Sequence, residues 1–87
     1  MGYFFIVAKS TRKSICSHVA RLFREERLRQ NLSMTSLGQL AGLSQQSVSY
    51  LEREMRVPNL DTMLRIAEVL KIDLGDLIKR ANKAATK

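Results

Sequence analysis

Two adjacent glutamines, Gln45 and Gln46, have side chains that could recognise a specific partner. A carboxamide donates hydrogen bonds from its nitrogen and accepts them at its oxygen, so it can pair with a planar group that offers both functions. Ser44 and Ser47 flank the glutamines with hydroxyls, and no lysine or arginine occurs in residues 30–52. Two glutamines at an exposed helix start are by themselves ordinary solvated side chains, so their function depends on the elements around them.

The side chains suited to catalysis or metal binding are too few for a site. His18 is the single histidine and Cys16 the single cysteine, and at this spacing on a helix they point to different faces. No glycine-rich phosphate loop follows a strand. The sequence therefore predicts no enzyme, no metal site and no cofactor. A lone cysteine allows no intramolecular disulfide, which suits a reducing cytoplasm.

Length and charge indicate the class of protein. The 87 residues make one domain at most, and 15 Lys plus Arg against 8 Asp plus Glu give a net charge of +7. Such a charge favours a polyanionic partner, either a nucleic acid or an anionic membrane surface. The apolar residues 3–8 are far fewer than the roughly 20 that span a bilayer. They also lack the flanking features of a signal peptide, so we expect a soluble, cytoplasmic protein with no membrane partner.

Most of the chain predicts closely spaced helices. The first runs from about Ser14 to Gln30, where apolar residues recur at helical spacing. These residues are Ile15, Val19, Leu22, Phe23 and Leu28. Three shorter helices follow the N-cap residues Ser33, Ser44 and Asn59. A fifth begins near Asp73 and Asp76, whose charges suit the helix dipole.

The two ends of the chain fall outside this helical pattern. Residues 3–8 are aromatic and β-branched, which favours a strand, yet nothing else in the chain would pair with it. This segment either pairs with its copy in a second subunit or packs against the helices as an arm. The predicted organisation is an N-terminal arm (residues 1–13), a helical domain (residues 14–79) and a basic tail (residues 80–87).

The segment Met34–Arg53 has the pattern of two short helices that cross steeply at a tight turn. Gly38 supplies the small residue that close helix approach requires, and Gly42 tolerates the positive φ that the turn favours. The positions that must face inward are apolar. They are Leu37, Ala41, Leu43, Val48 and Leu51. Every sterically restricted position therefore has a suitable residue type.

From about Val19 to Ile78 the chain resembles the lambda-repressor and Cro type helix-turn-helix family, also called the xenobiotic-response-element family. The resemblance is carried by LSMTSLGQLAGLSQQSVSYLEREMRVPNLDTMLRIAEVLKIDLGDLI. It implies an all-α, five-helix lambda-repressor-like DNA-binding domain, here with a short N-terminal extended arm. It also implies double-stranded DNA as the partner and a homodimer on a two-fold symmetric operator.

In such motifs the second helix enters the major groove and its first residues meet the base edges. The base-reading residues implied here are Ser44, Gln45, Gln46, Ser49 and Tyr50. A glutamine can make a bidentate pair with adenine N7 and N6. Residues that could contact phosphate lie around this neutral helix. They are Arg24, Thr35, Ser36, Ser47, Arg53 and Arg56. This division suits phosphate contacts that position the protein while neutral amides read sequence.

The family pattern also implies a structural ion pair, and this sequence departs from the pattern at three positions. Arg27 and Glu52 match an arginine and a glutamate that pair between the first helix and the reading helix. Met34 replaces a frequent phosphate-binding glutamine, and Met55 replaces a frequent lysine. Glu54 stands where the family usually has glycine, so it must accept a left-handed conformation or change the turn. Together the departures predict weaker non-specific DNA affinity than in a typical relative.

The sequence thus predicts a DNA-binding transcriptional regulator, with repression by operator occupancy favoured and activation left open. The alternative is a protein-interaction module on the same fold, such as an antitoxin-like subunit, because fold does not fix function. The apolar N-terminal arm supports this alternative, since an exposed apolar patch often marks an interface with a protein partner.

Overall fold

The computed structural model describes the backbone of residues 2–85 and the side chains of residues 12–85. Five helices make up the fold: α1 (Gly2–Arg29), α2 (Met34–Ala41), α3 (Gln45–Glu52), α4 (Leu60–Leu70) and α5 (Leu74–Ala85). No strand occurs between residues 2 and 85. The predicted all-α, five-helix fold is therefore confirmed.

The N-terminal segment differs from the sequence prediction, because α1 begins at Gly2 and not near Ser14. Helical backbone replaces the predicted extended arm over residues 2–13. A lone strand has no partner in this chain, whereas a helix satisfies its backbone N–H and C=O groups within the segment itself. The side chains of residues 1–11 lie outside the described residues. Pairing of this segment with a second subunit therefore stays a prediction.

The C-terminal helix also extends further than predicted. α5 continues to Ala85, past the expected domain end at residue 79. Ala81 has no exposed surface and belongs to the core, where α5 packs against α1. The predicted basic tail is thus helical as far as residue 85, because a small buried residue extends the packed face by one more turn.

Side-chain caps begin the shorter helices at the predicted positions. Ser33, Ser44 and Asn59 each accept a hydrogen bond from the backbone N–H three residues later, at 2.8–3.0 Å. Asp73 accepts one from Asp76 N at 3.1 Å. Each cap satisfies one of the backbone donors that a helix start leaves unpaired.

Four helices end on a residue in the left-handed conformation. These residues are Asn31 (φ 58°), Gly42 (φ 72°), Glu54 (φ 61°) and Lys71 (φ 57°). At each end, the N–H of this residue and the N–H of the next bond back to carbonyls of the last turn. This is the Schellman arrangement, in which glycine is the usual left-handed residue. Three of the four ends therefore hold a side chain in a conformation that favours glycine.

The core contains residues from all five helices. Its largest fully buried side chains are Phe23, Leu37, Val48, Ile66 and Leu70. The apolar pattern predicted for α1 fails at Leu28, which is 50% exposed. Arg27 faces inward in its place, and the next residue of a helix points about 100° away. No helix within the described residues has the length and apolar character to cross a membrane.

Candidate nucleic-acid interface

Helices α2 and α3 approach each other closely at Gly38. A Cβ atom on Gly38 would lie 2.8 Å from the carbonyl oxygen of Leu43, which is shorter than real Cβ contacts. Leu43 N donates to Gly38 O at 2.7 Å, and Gly42 closes the turn with its positive φ. The structural roles predicted for the two glycines are therefore confirmed. They allow the close crossing and the tight turn that set the orientation of α3 relative to α2.

Helix α3 has one buried side and one exposed side. Val48, Leu51 and Glu52 are buried against the domain. The outward residues at its start and along one side are Gln45, Gln46, Ser49 and Tyr50, which we call the reading face. Gln45 and Gln46 are exposed, whereas Ser49 and Tyr50 are partly buried. The structure thus places four of the five predicted base-reading residues on one uncharged surface.

Ser44, the fifth predicted base-reading residue, is the N-cap of α3. Its Oγ accepts from Ser47 N at 3.0 Å and donates to Ser47 Oγ at 2.8 Å. Ser33 and Ser36 form the same pair of bonds at the start of α2. The Ser44 hydroxyl proton is therefore already used to hold the start of the reading helix.

The two glutamines have different surroundings. Gln46 Nε2 donates to Tyr50 Oη at 2.6 Å, one helical turn further along α3. The guanidinium carbon of Arg56 lies 5.3 Å from the centroid of the Tyr50 ring, in cation–π range. Among the described residues, the hydrogen-bond acceptor near Gln45 Nε2 is the Met34 sulfur at 3.9 Å, which is a weak acceptor. Gln46 is therefore held by its neighbours, whereas Gln45 is held weakly.

Sequence reasoning did not identify the Gln46–Tyr50–Arg56 contacts. The four-residue spacing of Gln46 and Tyr50 was a usable signal, because such pairs are neighbours on a helix surface. The position of Arg56 was harder to predict from the sequence, since it depends on the left-handed turn at Glu54.

Arginines flank the reading face. Arg53 follows α3 directly, Arg56 comes three residues later, and both are exposed. The Arg24 side chain on α1 is 59% exposed, and its Nε lies 3.9 Å from Glu52 Oε1. Thr35 and Ser36 lie in the first turn of α2, where helix N–H groups face outward. The predicted phosphate contacts are thus exposed or partly buried around α3.

Three other arginines contact nearby side chains. Arg29 pairs with Glu26 on α1, and Arg65 Nε lies 2.9 Å from Asp61 Oδ2 on α4. The hydrogen bond from Arg29 lowers the pKa of Glu26 below its ordinary value. Arg21 lies 3.4 Å from a ring nitrogen of His18. The Arg29 and Arg65 side chains are 69% and 48% exposed, so these two pairs lie at the surface of the domain.

Arg27 and Glu52 form a buried ion pair between α1 and α3. Arg27 Nε donates to Glu52 Oε2 at 2.6 Å and Nη2 donates to Oε1 at 2.9 Å. Arg27 Nη1 also donates to the carbonyl of Leu32 at 2.8 Å. The bond to Glu52 raises the pKa of Arg27 above its ordinary value. This bidentate pair fixes the reading helix to the body of the domain.

No group of three or more His, Cys, Asp or Glu side chains that could hold a metal ion occurs among the described residues.

A family model for the helix-turn-helix matches residues 23–77, which is more than half of the chain. This chain belongs to the helix-turn-helix family. The match is of the lambda-repressor and Cro type that the sequence resembles. As a helix-turn-helix protein of this type, the chain is a DNA-binding transcription regulator.

The helix-turn-helix fold of this chain is similar to a solved repressor structure. That structure is the P22 c2 repressor protein in complex with synthetic operator 9T in the presence of Tl⁺. The similarity has a TM-score of 0.65 at 24% sequence identity, and covers 70% of this chain and 92% of the repressor chain. It supports the fold assignment independently of the family match. A comparison with curated proteins gave no match.

Proposed function

We propose that this protein is a non-enzymatic, cytoplasmic repressor that binds a pseudo-palindromic DNA operator as a homodimer. The observation that carries the proposal is the uncharged reading face of α3, held outward by the Arg27–Glu52 pair. Gln45 and Gln46 at its exposed start each present a carboxamide that can form a bidentate pair with adenine. Such a pair contributes about 1–3 kcal/mol of discrimination against the wrong base.

Phosphate contacts would supply most of the affinity. Arg53 and Arg56 lie just beyond the reading face. Arg24 lies near the C-terminal end of α3, because its Nε is 3.9 Å from the carboxylate of Glu52, the last residue of that helix. The first turn of α2 has backbone N–H groups and the hydroxyls of Thr35 and Ser36, all of which could donate hydrogen bonds to a phosphate of the DNA backbone. These groups fix the register of the protein on DNA, and the glutamines read the sequence.

A homodimer would place two copies of α3 about one turn of DNA apart, roughly 34 Å. Binding over a promoter then represses transcription by occupancy, with no cofactor. The P22 c2 repressor was crystallised with an operator, and the similarity of fold makes the same kind of partner the natural one to test.

Selection from a pool of random DNA duplexes at fixed salt tests the proposal. We expect the wild type to enrich a two-fold symmetric site, and Gln45→Ala and Gln46→Ala to relax base preference at different positions within each half. Gln39→Ala is the matched control, because Gln39 is an exposed glutamine on α2 and lies outside the reading face. If the wild type enriches no sequence and binds only in a salt-sensitive manner, operator reading is excluded.

An apolar groove favours a second candidate, a protein-interaction module such as an antitoxin-like subunit. The groove has a volume of about 730 Å³ and lies between α1 and the segment that leads into α4. Ile15, Val19, Val57 and Met63 line it. Recovery of a stable complex with another protein, together with no sequence-specific DNA binding, would favour this function over the first.

A further inference from the structure

We propose that the hydroxyl of Tyr50 positions the carboxamide of Gln46 so that Gln46 selects adenine over guanine. This inference rests on the proposed function, in which the reading face meets base edges. Its starting point is the 2.6 Å hydrogen bond from Gln46 Nε2 to Tyr50 Oη. Tyr50 is then a positioning residue, which acts on the base through Gln46.

The selectivity follows from the hydrogen-bond functions of the two purines. Adenine presents the N7 acceptor and the N6 amino donor in the major groove, whereas guanine presents two acceptors, N7 and O6. A free glutamine suits either base. It offers one N–H and its oxygen to adenine, or both N–H groups to guanine.

The bond to Tyr50 removes one of these alternatives. One Nε2 hydrogen of Gln46 is directed at Tyr50 Oη, so one N–H and Oε1 remain for the DNA. This pair of functions matches adenine. To bind guanine with two N–H groups, Gln46 would have to break its bond to Tyr50.

Tyr50 itself is fixed by its surroundings. Its side chain is partly buried, and the Arg56 guanidinium lies over the ring at 5.3 Å to the centroid. The hydroxyl therefore stays near Gln46 without needing a contact to DNA. Gln45 has no comparable restraint, because among the described residues its side-chain hydrogen bond is the weak one to the Met34 sulfur.

The test uses Tyr50→Phe, which removes the hydroxyl and keeps the ring beneath Arg56. Affinities are measured by competition on the selected operator and on a version with A·T changed to G·C at the position that Gln46→Ala relaxes. We expect the wild type to prefer adenine there by at least about fivefold, the lower end for a bidentate pair. Tyr50→Phe should bring the two bases close to parity.

Three internal controls accompany this measurement. Tyr50→Phe should leave the position read by Gln45 unchanged and should leave the salt dependence of binding unchanged. In a Gln46→Ala background it should have no further effect on the adenine-to-guanine ratio. Thermal unfolding of each variant checks that the domain is folded, and Tyr50→Leu, which also lacks the hydroxyl, replaces Tyr50→Phe if the latter does not fold.

The outcomes separate this inference from the proposed function. If Gln46→Ala relaxes a position but Tyr50→Phe keeps the adenine preference there, the inference is overturned and operator reading stands. A wild-type preference for guanine, or an effect of Tyr50→Phe that persists without Gln46, also overturns it. If the wild type selects no sequence, both the proposed function and the inference fail.

Discussion

Arg27 and Glu52 are the two charged residues that are classed as buried among the described residues. Their side chains are 7% and 2% exposed, and each oxygen of the carboxylate accepts a bond from the guanidinium. A buried pair of this kind contributes orientation more surely than net stability, because desolvation offsets much of the attraction. Here the orientation is that of α3, and therefore of the reading face.

Loss of one partner of this pair should be far more costly than loss of an exposed pair. We expect Glu52→Gln to lower the free energy of unfolding by about 3 kcal/mol, because the Arg27 charge would stay buried without a counter-charge. Asp61→Asn is the control, since it breaks the exposed pair with Arg65 and such pairs contribute little. Chemical denaturation of both variants measures the difference. Equal small losses would show that Arg27 reaches water when Glu52 is neutral.

At this scale the sequence predicted the residues that one motif specifies and missed those that depend on neighbours. The Arg27–Glu52 pair, the N-caps and the two helix-turn-helix glycines all follow from residue type at fixed positions. The bond from Ser44 Oγ to Ser47 Oγ and the bond between Gln46 and Tyr50 depend on side-chain rotamers. Residue spacing gives the neighbours but not which hydrogen bond they form.

Among the elements, the helix ends show how this chain departs from the usual residue choices. Glu54 and Lys71 occupy left-handed positions at the ends of α3 and α4, where glycine is usual. From the family pattern the sequence left two outcomes for Glu54, a left-handed conformation or a changed turn, and the structure has the first. It gave no comparable signal for Lys71 or Asn31.

Glycine at these two positions should stabilise the domain. We expect Glu54→Gly and Lys71→Gly each to raise the free energy of unfolding by about 0.5–1 kcal/mol. This is the strain of the left-handed conformation that glycine relieves, minus the extra conformational entropy that glycine gives to the unfolded chain. Glu54→Gly should also increase non-specific DNA affinity, because it removes a negative charge next to α3. Lys71→Gly is the matched control and should give no such increase. Denaturation and binding to random-sequence DNA test both points, and no change in stability for either variant would exclude strain at these ends.

Element boundaries were predictable where capping residues define them and not at the chain ends. Ser33, Ser44 and Asn59 specified three helix starts. The end of α5 is set by its packing against α1, and the start of α1 has no capping signal in the sequence. The burial of Ala81 illustrates this, because an alanine among lysines and an arginine gives no apolar signal in the sequence.

At the scale of the whole molecule, the shape of one chain bears on how many chains bind an operator. The chain measures 45 × 21 × 19 Å, and the 28-residue helix α1 accounts for the long dimension at 1.5 Å per residue. A single copy has one α3, so under the proposed function it would read one half of a symmetric site.

We therefore expect two chains per operator. Scrambling one half of the selected site should lower affinity at least about tenfold, because one set of base contacts is lost at about 1–3 kcal/mol each. Sedimentation of the protein with operator DNA gives the number of chains, and titration of the half-scrambled site gives the affinity. One chain bound per site, with full affinity for a single half, would contradict the dimer.

The absence of lysine and arginine from residues 30–52 has a consequence for how this protein would rank its targets. Salt weakens phosphate contacts by favouring the return of counterions, and it acts much less on hydrogen bonds between neutral amides and bases. A rise in ionic strength should therefore reduce the affinity for every site by a similar factor. The order of preference among operators should stay the same, so a change in cell osmolarity would shift the strength of regulation without changing which promoters are regulated first.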